Sequence, residues 1–235
     1  MHDFTWLGLI SDKIDHSNIH VFTSALVVFF ILLLSFLAHR RLKYTKACLV
    51  PEDKTTIANI FEVAVENILG LMKGVMGADA PKYFPLIGAL FIYIFLCNLV
   101  SLIPGFLPPT DNINTNLACS LTVFVYYNIM GIRAHGLKAY LKHFMGPILW
   151  LGPLMFVIEM IGHLVRPVSL ALRLFGNITG DHLVLGIFSD LTPILVPIIF
   201  LALGLFVAFI QAFVFSLLST IYIALATVHE HEEGH

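Results

Sequence analysis

The sequence predicts an all-α integral membrane protein with five membrane-embedded helices and one amphipathic helix at the membrane interface. Hydrophobic residues make up 58% of the 235 residues and charged residues only 12%, and the mean hydropathy is +0.90. A soluble domain carries about 25% charged residues, so a water-soluble globule is excluded. The formal charge of -2 and the isoelectric point near 6.6 provide no basic surface for a nucleic acid.

Apolar runs long enough to cross about 30 Å of hydrocarbon mark the first membrane spans, since a helix rises about 1.5 Å per residue. Three such runs, the third somewhat short, lie at 21–38, 86–103 and 117–132. Residues 1–20 lack the basic start of a cleaved signal peptide, so we do not expect them to be one. They are interpreted as an outer N-terminal segment from the distribution of basic residues described below. The whole chain, 1–235, is interpreted as one membrane domain.

An amphipathic helix is predicted between the first two spans, at 57–77. Apolar residues recur there every three or four positions, whereas Glu62, Glu66 and Lys73 fall outside that series. A helix with one apolar and one charged side lies at the boundary between lipid and water or against other spans. We therefore do not count this helix among the five spans.

The last apolar stretch is predicted to form a long hairpin with arms at 148–189 and 192–228. The sequence SDLTP near Asp190 supplies the turn signal between the arms. At about 1.5 Å per residue each arm is about 55 to 60 Å long, roughly twice the thickness of the hydrocarbon core. The two arms must therefore tilt strongly or break.

Basic residues predict the orientation, because cytoplasmic loops of membrane proteins carry an excess of Lys and Arg. Of the 13 basic residues, seven fall between the first and second spans and three follow the third span. Lys13 alone lies in the predicted outer segments, and the last apolar stretch holds Arg166 and Arg173. We expect the N-terminus outside and the C-terminal tail, 229–235, in the cytoplasm.

A polar stripe runs along the first arm of the hairpin, which is otherwise built mainly of apolar residues. At about 100° per residue, its members fall within about 40° of one line along the helix. They are Glu159, His163, Arg166, Arg173, Asn177 and Asp181. Each charged group costs about 2.5 to 3.5 kcal/mol in the hydrocarbon region and is by default functional. The stripe either lines a water-filled path, faces a partner with counter-charges, or contains internal pairs such as Glu159 with Arg166.

Arg173 is the hardest of these residues to explain by internal pairing, because a guanidinium group keeps its proton in a protein. The nearest carboxylate on its own face, Asp181, is two turns away, which favours a partner outside this helix. The second arm carries no charge within its apolar stretch, but Gln211 lies mid-span with Tyr222 within about 20° of the same face. Gln211 is expected to bond between helices or to orient Arg173.

The stretch PVSLALRLFGNITGDHLVL, followed by FIQAFVFSLLSTIYIALA, closely resembles subunit a of the rotary, F-type ATP synthase. The likeness extends to NLVSLIPGFLPPTDNINTNLA at 98–118 and covers essentially the whole chain. The combination of LRLFGN and QAFVF at this spacing is highly specific. The resemblance implies a membrane stator subunit beside the c-ring, in a bacterial inner membrane, with subunit b of the peripheral stalk and other synthase subunits as further partners.

The resemblance also implies roles for individual residues. The arginine of LRLFGN, here Arg173, is expected to face the ion-carrying carboxylate of each passing c-subunit and to separate two aqueous half-channels. Glu159 and Ser169 are expected on the cytoplasmic side. Asn177, His182 and Gln211 are expected on the outer side, where protons enter.

The outer path has two alternatives, because some relatives carry a histidine on the last helix at the region of Gly204. Here His182 supplies an imidazole from the preceding helix instead, and either Asp181 or His182 dominates the path. Both side-chain types can exchange protons, and histidine titrates near neutral pH. His163 and Tyr222 are accessory candidates. The expected ion is H⁺, with Na⁺ left open.

The chain has no phosphate-binding loop of the form GxxxxGK[ST] and is expected to be non-catalytic, without a cofactor or metal. The main alternative is an ion-coupled secondary transporter, which would act without partners. The tail also contains HEEGH, in which His231, Glu232 and His235 satisfy the zinc-protease pattern HExxH. A solvated tail is the preferred interpretation, because that motif requires a helix and a further ligand.

Overall fold

The structure, a computed structural model, describes residues 19–44, 57–103, 106, 108–138, 140, 152–191 and 195–227. Within these helices, the side chains at 38–44, 57–61, 189–191 and 195–197 are not described. The predicted outer segment before residue 19, the turn at 192–194 and the HEEGH tail therefore lie outside the described residues.

The described residues form six α-helices and two short 3₁₀ helices, without a β-strand. The α-helices are α1 (Ile19–Tyr44), α2 (Ile57–Met76), α3 (Ala80–Ser101), α4 (Ile113–His135), α5 (Gly152–Leu191) and α6 (Leu195–Thr227). The 3₁₀ helices are Gly77–Asp79, which precedes α3, and Pro109–Asp111, which follows it.

Within the ranges that the structure describes, five helical segments are long and apolar enough to cross a membrane, which confirms the predicted all-α membrane fold. They are Ile19–Leu37, Glu62–Ser101, Ile113–His135, Gly152–Phe188 and Ile198–Thr227. The second of these runs from α2 through the 3₁₀ turn into α3, so the interfacial position of α2 stays a prediction. With 40 residues, α5 is about 60 Å long and exceeds the thickness of the hydrocarbon core.

The core lies where α3, α4, α5 and α6 meet. The most extensive contacts join α3 to α6 and α4 to α5, and α2 packs against α3 and α6. Phe215 of α6, Ile87 of α3 and Tyr127 of α4 are all almost fully buried in this core. By contrast, α1 packs on α3, on the 3₁₀ helix Pro109–Asp111 and on α2, and it exposes most of its apolar side chains, as expected where lipid replaces protein as the neighbour.

Local sequence signals explain the ends of α4. The Asn112 side chain accepts a hydrogen bond from the Asn114 backbone N–H at 2.9 Å and caps the N-terminus of the helix. At the other end, Gly136 adopts a φ of 79°, a left-handed conformation that glycine reaches without strain, and its N–H bonds to the Ile132 carbonyl. The same turn brings Tyr140 back against α4.

Gly131 allows the close approach of Tyr140 and the end of α6. A Cβ atom at Gly131 would lie 2.6 Å from Cε2 of Tyr140 and 3.0 Å from the carbonyl oxygen of Ala226. We predict that Gly131→Ala destabilises the protein by about 1 to 3 kcal/mol, because an overpacked core must shift. The measurement is thermal unfolding of the detergent-purified complex.

Gly70→Ala is the matched control, because no atom lies within 4 Å of a Cβ at that position of α2. It should leave stability unchanged or raise it slightly, since alanine favours a helix over glycine. Equal stability of Gly131→Ala and Gly70→Ala would contradict the packing described for Tyr140.

Candidate functional site

The polar stripe predicted on α5 lies at the edge of the face that this helix buries. Leu170, Leu174 and Ile178 are buried against the neighbouring helices. Leu164 and Leu172 lie on the other side of the helix, where 55% and 50% of each residue is exposed. One helix can have a buried face and an exposed face because residues three or four positions apart lie on the same side of it. The stripe is therefore divided between the packed interior and the exposed surface of the chain.

Arg173 lies on the exposed side of this boundary. Among the described residues, the one ion pair within 4.0 Å joins two other residues, Arg166 and Glu159, and Arg173 has no such partner. Polar Ser169 and Asn177, one turn before and after Arg173, are also exposed, and apolar side chains flank this line, including Leu172 and Val168, which are 50% and 47% exposed. A permanent positive charge thus lies in a narrow polar line on an otherwise apolar surface.

Gln211 is buried on α6 and joins that helix to α5. Its Oε1 atom accepts a hydrogen bond from Nδ2 of Asn177 at 2.5 Å, and only 4% of the residue is exposed. Asn177 is four residues after Arg173, so the amide pair lies one helical turn along α5 from the guanidinium group. The bond fixes the relative register of α5 and α6 next to Arg173.

Glu159 and Arg166 form an ion pair within α5, with Nη2 of Arg166 3.6 Å from Oε1 of Glu159. The guanidinium group of Arg166 also lies over the ring of Tyr222, 5.3 Å from the ring centroid. Such a cation–π contact helps to hold the arginine. The internal-pairing alternative is therefore correct for these two residues, and Tyr222 joins them from α6.

His163 belongs to a buried network that the sequence did not predict. Its Nε2 atom lies 2.9 Å from Oδ1 of Asn128 on α4, and the hydroxyl of Tyr140 donates to the same oxygen at 2.9 Å. The ring of Tyr127 packs edge-on against the imidazole at 5.2 Å. Asn128 is a polar residue inside the predicted span 117–132, and such residues often form hydrogen bonds between membrane helices. Its partner, His163, is 35 residues away in the chain, so the sequence could not identify it.

On the half of α5 beyond Asn177, Asp181 is exposed and His182 is half-buried. The Nε2 atom of His182 is buried and has no hydrogen-bond partner among the described residues. Ser169, on the other side of Arg173 along the helix, is exposed. The sequence-predicted residues thus follow one another along α5 on both sides of Arg173.

Gly204 on α6 packs closely against Leu102. Gly204 is buried, and a Cβ atom there would lie 2.7 Å from Cδ2 of Leu102 in the turn after α3. A larger side chain at this point requires Leu102 to move. In this chain α5 carries an imidazole at His182, whereas α6 carries none at position 204.

No group of three potential metal ligands occurs among the described residues, and Cys97 and Cys119 are buried free thiols there. The HEEGH motif lies in the tail beyond residue 227, outside the described part of the chain.

The fold and the site define a polytopic membrane protein with ionisable groups arranged along one long helix, as in proteins that carry ions across a membrane. The sequence profile of the family described as ATP synthase A chain matches residues 21–224. The chain belongs to the ATP synthase subunit a family, the proton-translocating subunit of the membrane sector.

Curated relatives agree with this assignment. The ATP synthase subunit a of Bdellovibrio bacteriovorus is 42% identical over 228 residues, which cover 97% of this chain and 99% of that protein. The subunit a of Trichlorobacter lovleyi is 48% identical over 231 residues, covering 95% of this chain and 96% of the relative. The subunit a of Geobacter sulfurreducens is 50% identical over 198 residues, covering 84% and 82%.

We predict that Gly204→His lowers the stability of the complex by about 1 to 3 kcal/mol, because the imidazole would overlap the Leu102 side chain. The added substitution Leu102→Ala should restore part of the loss by providing space for the ring. Thermal unfolding of the two purified variants beside the native complex measures both effects. A single Gly204→His variant as stable as the native protein would show that position 204 is not restricted by packing.

Proposed function

We propose that this chain provides two aqueous half-channels that deliver protons to and from the carboxylates of a c-ring, with Arg173 preventing a direct leak between them. Proton flow is then coupled to rotation of the ring, because a proton crosses only while bound to a moving carboxyl group. The coupled ion is H⁺. A second, stand-alone transporter function has no specific observation in its favour.

The observation that carries this proposal is the position of Arg173. A charged side chain in the hydrocarbon region costs about 2.5 to 3.5 kcal/mol on the insertion scale, and arginine cannot avoid the cost by losing its proton. The described residues offer it no carboxylate within 4.0 Å. A carboxylate on a ring beside the exposed face of α5 supplies the missing counter-charge and is the carrier that the proposal requires.

The barrier role follows from the same charge. A fixed guanidinium group repels a proton that moves alone through water, whereas it attracts the deprotonated carboxylate of the ring. A ring carboxyl must therefore lose its proton on one side of Arg173 before it passes and gain another on the opposite side. A membrane potential adds about 2.3 kcal/mol per charge per 100 mV to drive this exchange.

On the cytoplasmic side, Glu159 and Ser169 are proposed to line the half-channel. Both are exposed on α5, and Glu159 keeps 48% of its side chain accessible while it pairs with Arg166. The contact of Arg166 with Tyr222 limits the movement of that pair. Glu159 is thus held near the surface, where it can exchange protons with water.

On the outer side, the proposed path includes Asn177, Gln211, Asp181 and His182. The amide pair Asn177–Gln211 cannot carry charge, but it orients the polar surface next to Arg173. Asp181 and His182 are the groups that can exchange protons. The buried, unpartnered Nε2 atom of His182 is a position from which a proton can be passed on.

The proposed location is a bacterial inner membrane, with the N-terminus outside and the C-terminus in the cytoplasm. The concentration of basic residues at 40–82 and 133–142 supports this orientation. Subunit b is proposed as a further partner, together with the c-ring and other synthase subunits. Since this chain has no nucleotide-binding loop, we assign nucleotide chemistry to other subunits.

We predict that Arg173→Ala reduces ATP-driven acidification of inverted membrane vesicles to the level of vesicles treated with an uncoupler. The counter-charge of the ring carboxylate and the barrier disappear together, so passive proton leak should also rise. Arg133→Ala is the matched control, because Arg133 is an exposed arginine in the last turn of α4. Undiminished pumping by an assembled Arg173→Ala complex would contradict the proposed function.

We predict that Glu159→Gln slows ATP-driven pumping several-fold without increasing the leak. The amide cannot take up a proton, while Arg173 and its barrier are unchanged. Passive proton conduction in membranes stripped of the catalytic sector should fall in parallel. Glu66→Gln, an exposed position on α2, is the control and should match the native protein. Normal conduction by Glu159→Gln would remove Glu159 from the path.

A further inference from the structure

Asp111 is the only charged residue between Lys82 and Arg133. It ends the 3₁₀ helix Pro109–Asp111 in the connection between α3 and α4, and it is half-buried. Charged residues that keep a protein soluble occur in large numbers over its surface. A single carboxylate within fifty mostly apolar residues does not serve that purpose, so Asp111 requires a specific explanation.

A fully buried polar network fixes the backbone beside Asp111. Thr110 donates from Oγ1 to Oδ1 of Asn98 at 3.3 Å, and Asn116 donates from Nδ2 to the Thr110 carbonyl at 2.7 Å. No more than 2% of Asn98, Thr110 or Asn116 is exposed. These bonds tie the end of α3 to the start of α4, so the residue after Thr110 has a defined position.

The Asp111 carboxylate is not used to cap α4, because Asn112 performs that role. Instead, Oδ1 of Asp111 accepts a hydrogen bond from Oγ1 of Thr179 on α5 at 3.3 Å. Among the described residues, this is the one side-chain bond found for the carboxylate. The second oxygen, Oδ2, is available to bind a proton from water.

The contact with Thr179 places Asp111 beside the outer part of α5. His182 is three residues after Thr179, so the two side chains are one turn apart and separated by about 60° around the helix. Asp181 is separated from Thr179 by about 160° and points to a different side. The exposure agrees with this geometry, since Thr179 and His182 are half-buried and Asp181 is exposed.

We propose that Asp111 is the outermost proton-relay residue of the outer half-channel and passes protons towards His182. The inference rests on the proposed function above and adds a residue from a separate connection to it. The Asp111 carboxylate takes a proton from a hydronium ion in the outer water and becomes a neutral carboxyl group. It then gives this proton to the neutral imidazole of His182, directly or through water, and returns to the carboxylate. Thr179 positions the carboxylate towards α5.

The test compares Asp111→Asn with Asp111→Glu in the complete complex. Asparagine keeps an oxygen that accepts the Thr179 bond but cannot carry a proton, whereas glutamate keeps the proton-carrying group. We expect Asp111→Asn to slow ATP-driven pumping and passive proton conduction several-fold, and Asp111→Glu to retain most of both. Equal rates for Asp111→Asn and the native complex would overturn the relay and leave a structural contact.

Two controls separate the possible failures. Asp79→Asn removes an exposed carboxylate from the 3₁₀ helix at the opposite end of α3 and should match the native complex. Arg173→Ala is measured in the same vesicles. Intact pumping by Arg173→Ala would contradict the proposed function itself, whereas loss at Arg173 with normal rates in Asp111→Asn would overturn the Asp111 inference alone.

If the Asp111→Asn complex fails to assemble, chemical modification of a cysteine at position 111 tests whether a carboxylate is needed there. Asp111→Cys is made in a chain with Cys48, Cys97 and Cys119 replaced by serine or alanine, and the assembled complex is treated with a thiol reagent that adds a carboxylate. Restored conduction with this reagent, and none with a neutral reagent of similar size, is the expected result. Equal restoration by both reagents would show that volume matters and the carboxylate does not.

Discussion

A permanent positive charge on a largely apolar helix surface is the constraint on which the rest of the arrangement depends. Arg173 keeps its proton in any environment that a protein provides. In this chain it is exposed on α5 without a carboxylate within 4.0 Å among the described residues. The described helices hold α5 in place but offer no such counter-charge, and the proposed function assigns it to a partner.

The packing of α5 explains how one helix can pack against its neighbours on one side and expose Arg173 on another. Its buried side contacts α4 and α6, and the amide pair Asn177–Gln211 and the bond from His163 to Asn128 fix its register at two levels. The opposite side is left apolar and exposed, with Arg173 at the boundary. A helix held at two levels keeps Arg173 at a defined position on its exposed side.

Much of this arrangement could be predicted from the sequence, because hydropathy and helical periodicity are local properties. The all-α membrane fold follows from such patterns, and the external partner of Arg173 stays a prediction made from them. The contacts of His163 with Asn128 and of Asp111 with Thr179 could not be derived in this way. Each joins segments that are distant in sequence, 35 and 68 residues apart, and depends on how the helices pack.

In the proposed function, the charge of Arg173 is balanced by a carboxylate of another subunit. The most direct measurement is a cryo-electron microscopy structure of the complete complex in a lipid nanodisc, resolving the side chains around Arg173. We expect a c-ring carboxylate within about 4 to 6 Å of the guanidinium group, directly or through one water molecule. A guanidinium group that faces lipid, or one paired with a carboxylate of its own chain, would contradict this pairing.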